Sequence, residues 1–438
     1  MRALYTLLWV VALPWLPLRL WWRGRREPGY RQRIGERFGR YADTPAPGDA
    51  GVIWIHAVSL GETRAAAPLV ARIARDLPAA TILLTHMTAT GREAGSALYG
   101  SSVVQAWLPY DFPFAVRAFL GHFSPRAGVL METELWPNLA AACAAARVPL
   151  FLVNARLSAR SYAGYRRFAA LTEPMFASLA GVAAQTADDG ARIAAAGATN
   201  VVVTGNLKFD AEIADRMRQL GRELRERFGV ARPVFLAAST RDGEETLILD
   251  ALARGALPDR ALTVLVPRHP QRFDEVAALL AARGIAFTRR SANAAVAADV
   301  GVVLGDSLGE LPAYYAAADV AFVGGSLLPF GGQNLIEAIA VGTPTLVGPH
   351  TFNFTEAAAN AIAAGAALRV ADADALIREV AGLVSDAARR ARMHEAAHAF
   401  HAAHRGAADR LWAWLAPKLE AAPKSGSDPD LVSRSAGD

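Results

Sequence analysis

A single cysteine, Cys143, occurs among 438 residues. It excludes an intrachain disulfide and is compatible with a reducing compartment. Because it lies in an alanine-rich helical run, it reads as a small buried apolar residue rather than a nucleophile. Lysine is almost as scarce, with 3 lysines against 43 arginines, which makes the ammonium of Lys208 a conspicuous choice of cation. No His and carboxylate pair has metal-ligand spacing. Asp372 and Asp374 form a D-x-D pattern, but they precede a helix starting near Ala375 and read as caps. Neither a metal nor a cofactor is expected. Internal repeats are absent too, and no basic-aromatic face recurs along the chain, which argues against nucleic acid as a partner.

Charge is missing from Ala3 to Leu18, where Leu7, Leu8, Trp9, Val10, Val11, Trp15 and Leu16 make the segment strongly apolar. As a helix it would reach about 24 Å, short of the ~30 Å hydrocarbon core, so a full span needs it to continue to Trp22 with Arg19 snorkelling. The segment, taken as 1–22, predicts a membrane anchor and leaves open whether it spans. Arg23, Arg25, Arg26, Arg31, Arg33, Arg37 and Arg40 follow against Glu27 and Glu36. That excess places the flank on the cytoplasmic side and suits it to anionic lipid headgroups. No small-residue cleavage site follows the apolar run, which argues against a signal peptide.

From Gly51 onward short apolar runs alternate with helical stretches, the signature of doubly wound parallel sheets. Strands are predicted at 52–57, 81–85, 103–108, 127–131, 150–153, 182–184 and 201–203, then at 233–237, 262–266, 302–304, 320–323 and 344–347. The charged helical stretch 211–229 connects the two sets. Length fits two domains of ordinary size, with 53% hydrophobic residues to fill both cores. The predicted fold class is α/β of GT-B architecture, two Rossmann-like domains facing a cleft, one over 23–210 and one over 211–420. Residues 421–438, rich in Pro, Ser, Gly and Asp, read as a disordered tail.

Two loops in the second half point to a nucleotide. The run 320–323 leads into a glycine turn, where Gly331 and Gly332 permit close backbone approach. Asn334 then stands where an N-cap would, Leu335, Ile336 and Ile339 give the next helix an apolar face, and Glu337 offers an acceptor for ribose hydroxyls. The second loop, GDSLGE at 305–310, follows another apolar run. A strand, a turn and a capped helix can also simply pack, but two such loops favour a ligand at the carboxyl ends of the strands. In the first half, WIHAVSLGET sets Ser59, Gly61 and Glu62 directly after the first strand. Glu62 is placed to act as a base or, alternatively, to serve as a helix-start carboxylate. His56 lies among core-like neighbours and reads as packed. Glu132 and Glu134 fall just after another strand. Ser239, Thr240 and Arg241 form a further strand-to-helix turn able to meet an anion or merely to start a helix.

In order along the chain, WIHAVSLGET, METELWPNL, NARLSARS, TGNLKFD, ASTRDGEE, VPRHPQRF, GDSLGEL, GGQN and GPHTFNF resemble the 3-deoxy-D-manno-octulosonic acid (Kdo) transferases of Gram-negative bacteria. The resemblance runs to about Ala407. It implies an inverting, metal-independent transfer of Kdo from CMP-Kdo to the lipid A precursor at the cytoplasmic face of the inner membrane. Glu62 matches the family's general base, and Glu132 and Lys208 match residues that stabilise the transition state. Pro267, Arg268 and His269, the loop residues Leu308, Gly309 and Glu310, and Asn334, Leu335, Ile336 and Glu337 match the region holding the cytidine nucleotide. Gln333 and Leu335 depart from the family pattern, which has His and Pro there. Two rival readings remain at this point: a nucleotide-sugar epimerase or other GT-B transferase, and a membrane-tethered binding protein without turnover.

Overall fold

The computed structural model describes residues 1–25, 27–44, 51–210, 213–255, 257–258 and 260–423. The chain forms two compact units, Met1–Ala211 with Arg405–Asp438, and Glu212–His404.

The first unit is built on seven strands: β1 (Val52–His56), β2 (Thr81–His86), β3 (Val104–Trp107), β4 (Pro125–Met131), β5 (Leu150–Ala155), β6 (Gly181–Ala184) and β7 (Val201–Val203). All seven apolar runs predicted there are strands. They pair in parallel in the order β3-β2-β1-β4-β5-β6-β7. Continuous apolar runs are needed because helices cover both faces. Ile53 and Ile55 pack on one face with Leu84 and Val129, while Trp54 packs on the other with Leu83, Leu130 and Phe119. The winding reverses between β1 and β4, which leaves a crevice at their carboxyl ends.

The second unit carries β8 (Val234–Thr240), β9 (Leu262–Pro267), β10 (Phe287–Arg289), β11 (Val302–Leu304), β12 (Val320–Val323), β13 (Thr345–Val347) and β14 (Ala367–Arg369). Their order is β10-β11-β9-β8-β12-β13-β14, again parallel throughout, with its reversal between β8 and β12. Periodicity does not reveal β10 and β14. Both are three-residue edge strands reading Phe-Thr-Arg and Ala-Leu-Arg, too short and too polar to leave an apolar run.

The last helix, Ala407–Ala421, corrects the predicted domain boundary. Its Leu411, Leu415 and Leu419 are buried in the first unit with Ile53, Ile55 and Leu69. Asp210 accepts from the backbone N–H groups of Gly406 and Ala408, and Arg410 Nε donates to the Thr204 carbonyl at 2.9 Å. An apolar helix face looks the same in sequence whichever core it covers. Of the predicted tail, 424–438 lie outside the described residues.

The N-terminal segment forms two helices rather than one, α1 (Arg2–Ala12) and α2 (Trp15–Arg23), bent by 59°. Pro14 stands at the break, where its missing N–H costs least. No single helix among the described residues is long and apolar enough to cross a membrane, though the bent pair passes on length and composition together. One face packs on the first unit through Trp9, Leu13, Leu16 and Leu20. On the other, Leu4, Leu7, Leu8, Val11, Trp15, Leu18 and Trp22 are each more than half exposed. The arginine flank also differs from expectation. Arg37 is buried, 3.9 Å from the Trp107 ring centre and donating to the Met87 carbonyl, and Arg33 binds Glu36 and Thr44. Arg37 is therefore not free for headgroups, while Arg33 is paired but exposed. Arg23 and Arg25 are exposed, whereas Arg26 lies outside the described residues.

Candidate active site

In the first unit the candidate residues lie beyond the carboxyl ends of β1 and β4. Ser59 caps helix α3 (Leu60–Ala65), its Oγ accepting from the Glu62 N–H at 3.5 Å. Glu62 reaches back, with Oε2 accepting from the Val58 N–H at 2.9 Å and Oε1 from Ser59 Oγ at 2.8 Å. Ser59 thus caps the helix while the Glu62 carboxylate holds the N–H of the residue before the cap, so the helix-start role is real. It does not exhaust the residue. Glu62 is 8% exposed, and burial pushes its carboxyl up to about 7, with the charge of Glu132 and then that of Glu134 adding to the effect against the two hydrogen bonds. A carboxyl poised near neutrality and held in one orientation is suited to proton abstraction.

The turn under Glu62 is held by side-chain hydrogen bonds. His86 Nδ1 bonds the Ala57 carbonyl at 2.8 Å, Thr88 Oγ1 donates to the Val58 carbonyl at 2.9 Å, and His56 Nδ1 lies 2.8 Å from Thr85 Oγ1. Burial lowers His56 to about 3 and His86 to about 4, so both stay neutral in ordinary buffers. His56 is packed, as its neighbours implied.

Glu132 sits at φ 58, a left-handed conformation that is strained for a glutamate. Its Oε1 accepts from Lys208 Nζ at 2.7 Å. Lys208 follows β7, where its N–H is held by Asn206 Oδ1 at 2.9 Å while Leu207 N–H donates to Asn154 Oδ1 at 3.0 Å. The structure thus joins two candidate residues 76 positions apart in sequence. Glu134 is also raised by burial and hydrogen-bonds Trp136. Cys143 is buried and its thiol is pushed up to about 12, as an inert core residue should be.

In the second unit the loops after β8, β9 and β12 converge. Arg268 N–H donates to the Thr240 carbonyl at 3.0 Å, and Arg268 Nε donates to Gln333 Oε1 at 3.1 Å. Burial and the neighbouring Arg241, Arg268 and Arg272 lower His269, leaving its Nε2 able to accept from Arg241 Nη1 at 3.0 Å. Arg241 also lies over the Phe330 ring at 4.7 Å. The result is a cationic patch suited to phosphate. Gly331 adopts φ +92, and a Cβ there would come within 2.5 Å of Asn353 Nδ2, so the turn requires glycine. Pro267 ends β9.

The helix Ile336–Val341 starts one residue later than predicted, with Leu335 at its N-cap. Asn334 still serves it, since its Oδ1 accepts from Ile336 N–H at 3.2 Å and its Nδ2 donates to Glu337 Oε1 at 3.1 Å. Leu335 and Ile336 are buried, so only their backbones can face a ligand. After β11, Leu308 is 69% exposed and Gly309 has φ +77. Glu310 is held by Arg290, Nη2 to Oε1 3.2 Å, and by Ser307 Oγ at 2.7 Å. Asp372 caps a helix through Ala375 N–H at 2.7 Å and Asp374 pairs with Arg254 at 2.6 Å, as the cap reading of that D-x-D pattern expects for the first.

Glu244 is a residue that no sequence motif singled out. Fully buried at the reversal point of the second sheet, it accepts from the N–H groups of Arg241 at 2.9 Å, Gly325 at 2.6 Å and Leu327 at 2.9 Å. It ties the loops after β8 and β12 together. The acidic pair opening the helix Glu244–Arg254 was the available signal, but adjacent acids at a helix start are common for the dipole alone.

The comparisons with known proteins bear on this geometry. The family model described as 3-deoxy-D-manno-octulosonic-acid transferase (kdotransferase) matches residues 32–211, and that of glycosyl transferases group 1 matches 287–400. A 3-deoxy-D-manno-octulosonic acid transferase of Bordetella pertussis is 50% identical over 434 residues, covering 94% of this chain and 99% of the relative. The chain belongs to the Kdo transferase family. This Kdo transferase is likewise 39% identical to that of Haemophilus influenzae, over 96% of its own length and 99% of the relative's. Among solved structures, the transferase is similar to a glycosyltransferase from Rickettsia africae, with a TM-score of 0.57 at 14% identity over 85% of this chain and 99% of that one. A UDP-GlcNAc 2-epimerase from Neisseria meningitidis gives a TM-score of 0.57 at 14% identity over 84% and 100%. These likenesses show the GT-B-like glycosyltransferase fold alone; the family settles that this Kdo transferase is a glycosyltransferase and not an epimerase or an inert binder.

For this Kdo transferase, Glu337→Ala is expected to raise the apparent donor KM severalfold, through loss of charge-assisted hydrogen bonds worth about 1.5 to 3 kcal/mol. Calorimetric titration with CMP checks it; parental affinity removes Glu337 from the pocket.

Proposed function

We propose that this transferase moves Kdo from CMP-Kdo to the lipid A precursor lipid IVA, with inversion, and that Glu62 is the general base. The observation that carries the reading is the oriented, buried Glu62 carboxyl held near neutrality beside the charge of Glu132. An acceptor hydroxyl must lose its proton as it attacks the anomeric carbon, and a base whose value lies near the working pH does this best. Lys208, paired with Glu132, supplies fixed positive charge as charge develops in the transition state. Arg241, Arg268 and the neutral His269 suit the donor phosphate, and Glu337 its ribose. Incubation with CMP-Kdo and tetraacylated precursor tests the reading. Free CMP and a heavier lipid are expected; with no CMP released, the acceptor assignment is lost.

On the same reading the protein works at the cytoplasmic face of the inner membrane. In support, both α1 and α2 expose large apolar side chains, at positions 4, 7, 8 and 11 and at 15, 18 and 22. A helix pair apolar on both sides needs a second apolar environment, and with the inner side packed on the protein the outer one suits the lipid interface rather than a span. Arg25 lies over the Trp21 ring at 4.0 Å, keeping cation and indole together where headgroups would be. Neutralising Arg23 and Arg25 is expected to weaken flotation with anionic vesicles and to flatten its salt dependence, each basic residue contributing about 1 kcal/mol. Unchanged flotation across salt concentrations counts against the headgroup role.

A further inference from the structure

Helix α1 is locked to the loop that carries Glu132. The Trp9 ring lies 5.8 Å from that of Tyr110, 5.5 Å from Phe112 and 5.7 Å from Trp136. Thr6 exchanges hydrogen bonds with Asn138, Oγ1 to Oδ1 at 3.2 Å and Nδ2 to Oγ1 at 3.0 Å. Tyr5 hydrogen-bonds the buried carboxyl of Asp111. Asp111 accepts in turn from the N–H groups of Asn138 at 2.9 Å and Leu139 at 2.8 Å, at the start of the helix Pro137–Ala145. The loop between β4 and that helix contains Glu132, Glu134 and Trp136. Its far end is therefore pinned by α1. A helix that only tethered the protein to lipid would need none of these polar bonds, because its lipid-suited residues lie on the opposite face.

We propose that α1 is a positioning element of the active site, with Trp9 as the key residue: its indole, fitted among Tyr110, Phe112 and Trp136, sets the loop on which Glu132 meets Lys208. The proposal rests on the transition-state role given to Glu132. In consequence, the helix pair that suits the lipid surface also completes the acceptor side of the site, and loss of the Trp9 contact lowers turnover even when the acceptor is presented without a membrane.

The test uses the full chain, with CMP-Kdo and tetraacylated precursor in detergent micelles, beside vesicle flotation. Trp9→Ala is expected to lower kcat about tenfold or more, as small misplacements of reacting groups do, with CMP affinity and flotation retained. Trp9→Phe keeps an aromatic plug and is expected to recover kcat to within about threefold of the parent. Leu7→Gln with Leu8→Gln, on the exposed face, should lose flotation and keep kcat in micelles. Parental kcat for Trp9→Ala, or an equal loss in the exposed-face variant, overturns the proposal and leaves α1 a tether. Should circular dichroism find Trp9→Ala unfolded at the assay temperature, Thr6→Val decides: a lowered kcat supports the lock and a parental one overturns it. Glu132→Gln separates the two ideas. If it turns over normally while Trp9→Ala is impaired, the role of Glu132 is lost and the positioning of the loop stands; if it is inactive while Trp9→Ala is normal, only the positioning is lost.

Discussion

Glu62→Gln should abolish transfer while leaving donor binding intact. The amide keeps the shape of the side chain and both of its local bonds, its oxygen accepting from the Val58 N–H and its NH₂ donating to Ser59 Oγ, where the carboxylate now makes bonds of 2.9 and 2.8 Å. It cannot take a proton. Loss of a general base typically costs about 10² to 10⁴ in rate, and the loss should fall on kcat because the interaction develops in the transition state. The parent's kcat/KM should fall on the acid side through about pH 7, where Glu62 becomes protonated. Stability runs the other way. The folded value lies above the ordinary 4.5, so what this group contributes is present below about 4.5 and lost as pH rises through about 7. Glu62→Gln should therefore melt no lower than the parent at pH 8. Parental turnover with an unchanged melting temperature would leave Glu62 a helix-start carboxylate only, with Glu132 the next candidate for the base.

Lys208→Met should produce the second large loss, about 10² to 10³ in kcat, the range seen when one fixed electrostatic donor to a transition state is removed. It should also move the pH profile. Cutting the 2.7 Å pair leaves the Glu132 charge uncompensated, and that charge already raises Glu62. The acid limb of kcat/KM should shift to higher pH in Lys208→Met and to lower pH in Glu132→Gln. Profiles of the parent and the two variants in the same detergent assay check this. Limbs that do not move would mean that the pair does not reach Glu62.

Much of the fold is legible in the sequence. Runs such as Val52–His56 and Val320–Val323 are apolar throughout because both sheet faces are covered, and a parallel strand of this kind advertises itself. The position of Glu62 in the first helical turn after β1 is legible, and so is the glycine turn at Gly331, because the backbone leaves no alternative. These are local constraints, felt within a few residues. The sequence alone could not assign the helix Ala407–Ala421 to the first unit, split the apolar N-terminal segment into α1 and α2, or turn Arg37 inward onto Trp107. Each depends on which distant surface is available to cover an apolar face or a cation. The pairing of Glu132 with Lys208, the seat of Glu244 among three backbone N–H groups and the Trp9 contact with Trp136 are of the same kind. Residue types announce that such groups need partners, since buried charge and unpaired polar atoms are costly. Which partner each one finds is decided only where strands reverse their order and bring remote loops to the same end of a sheet.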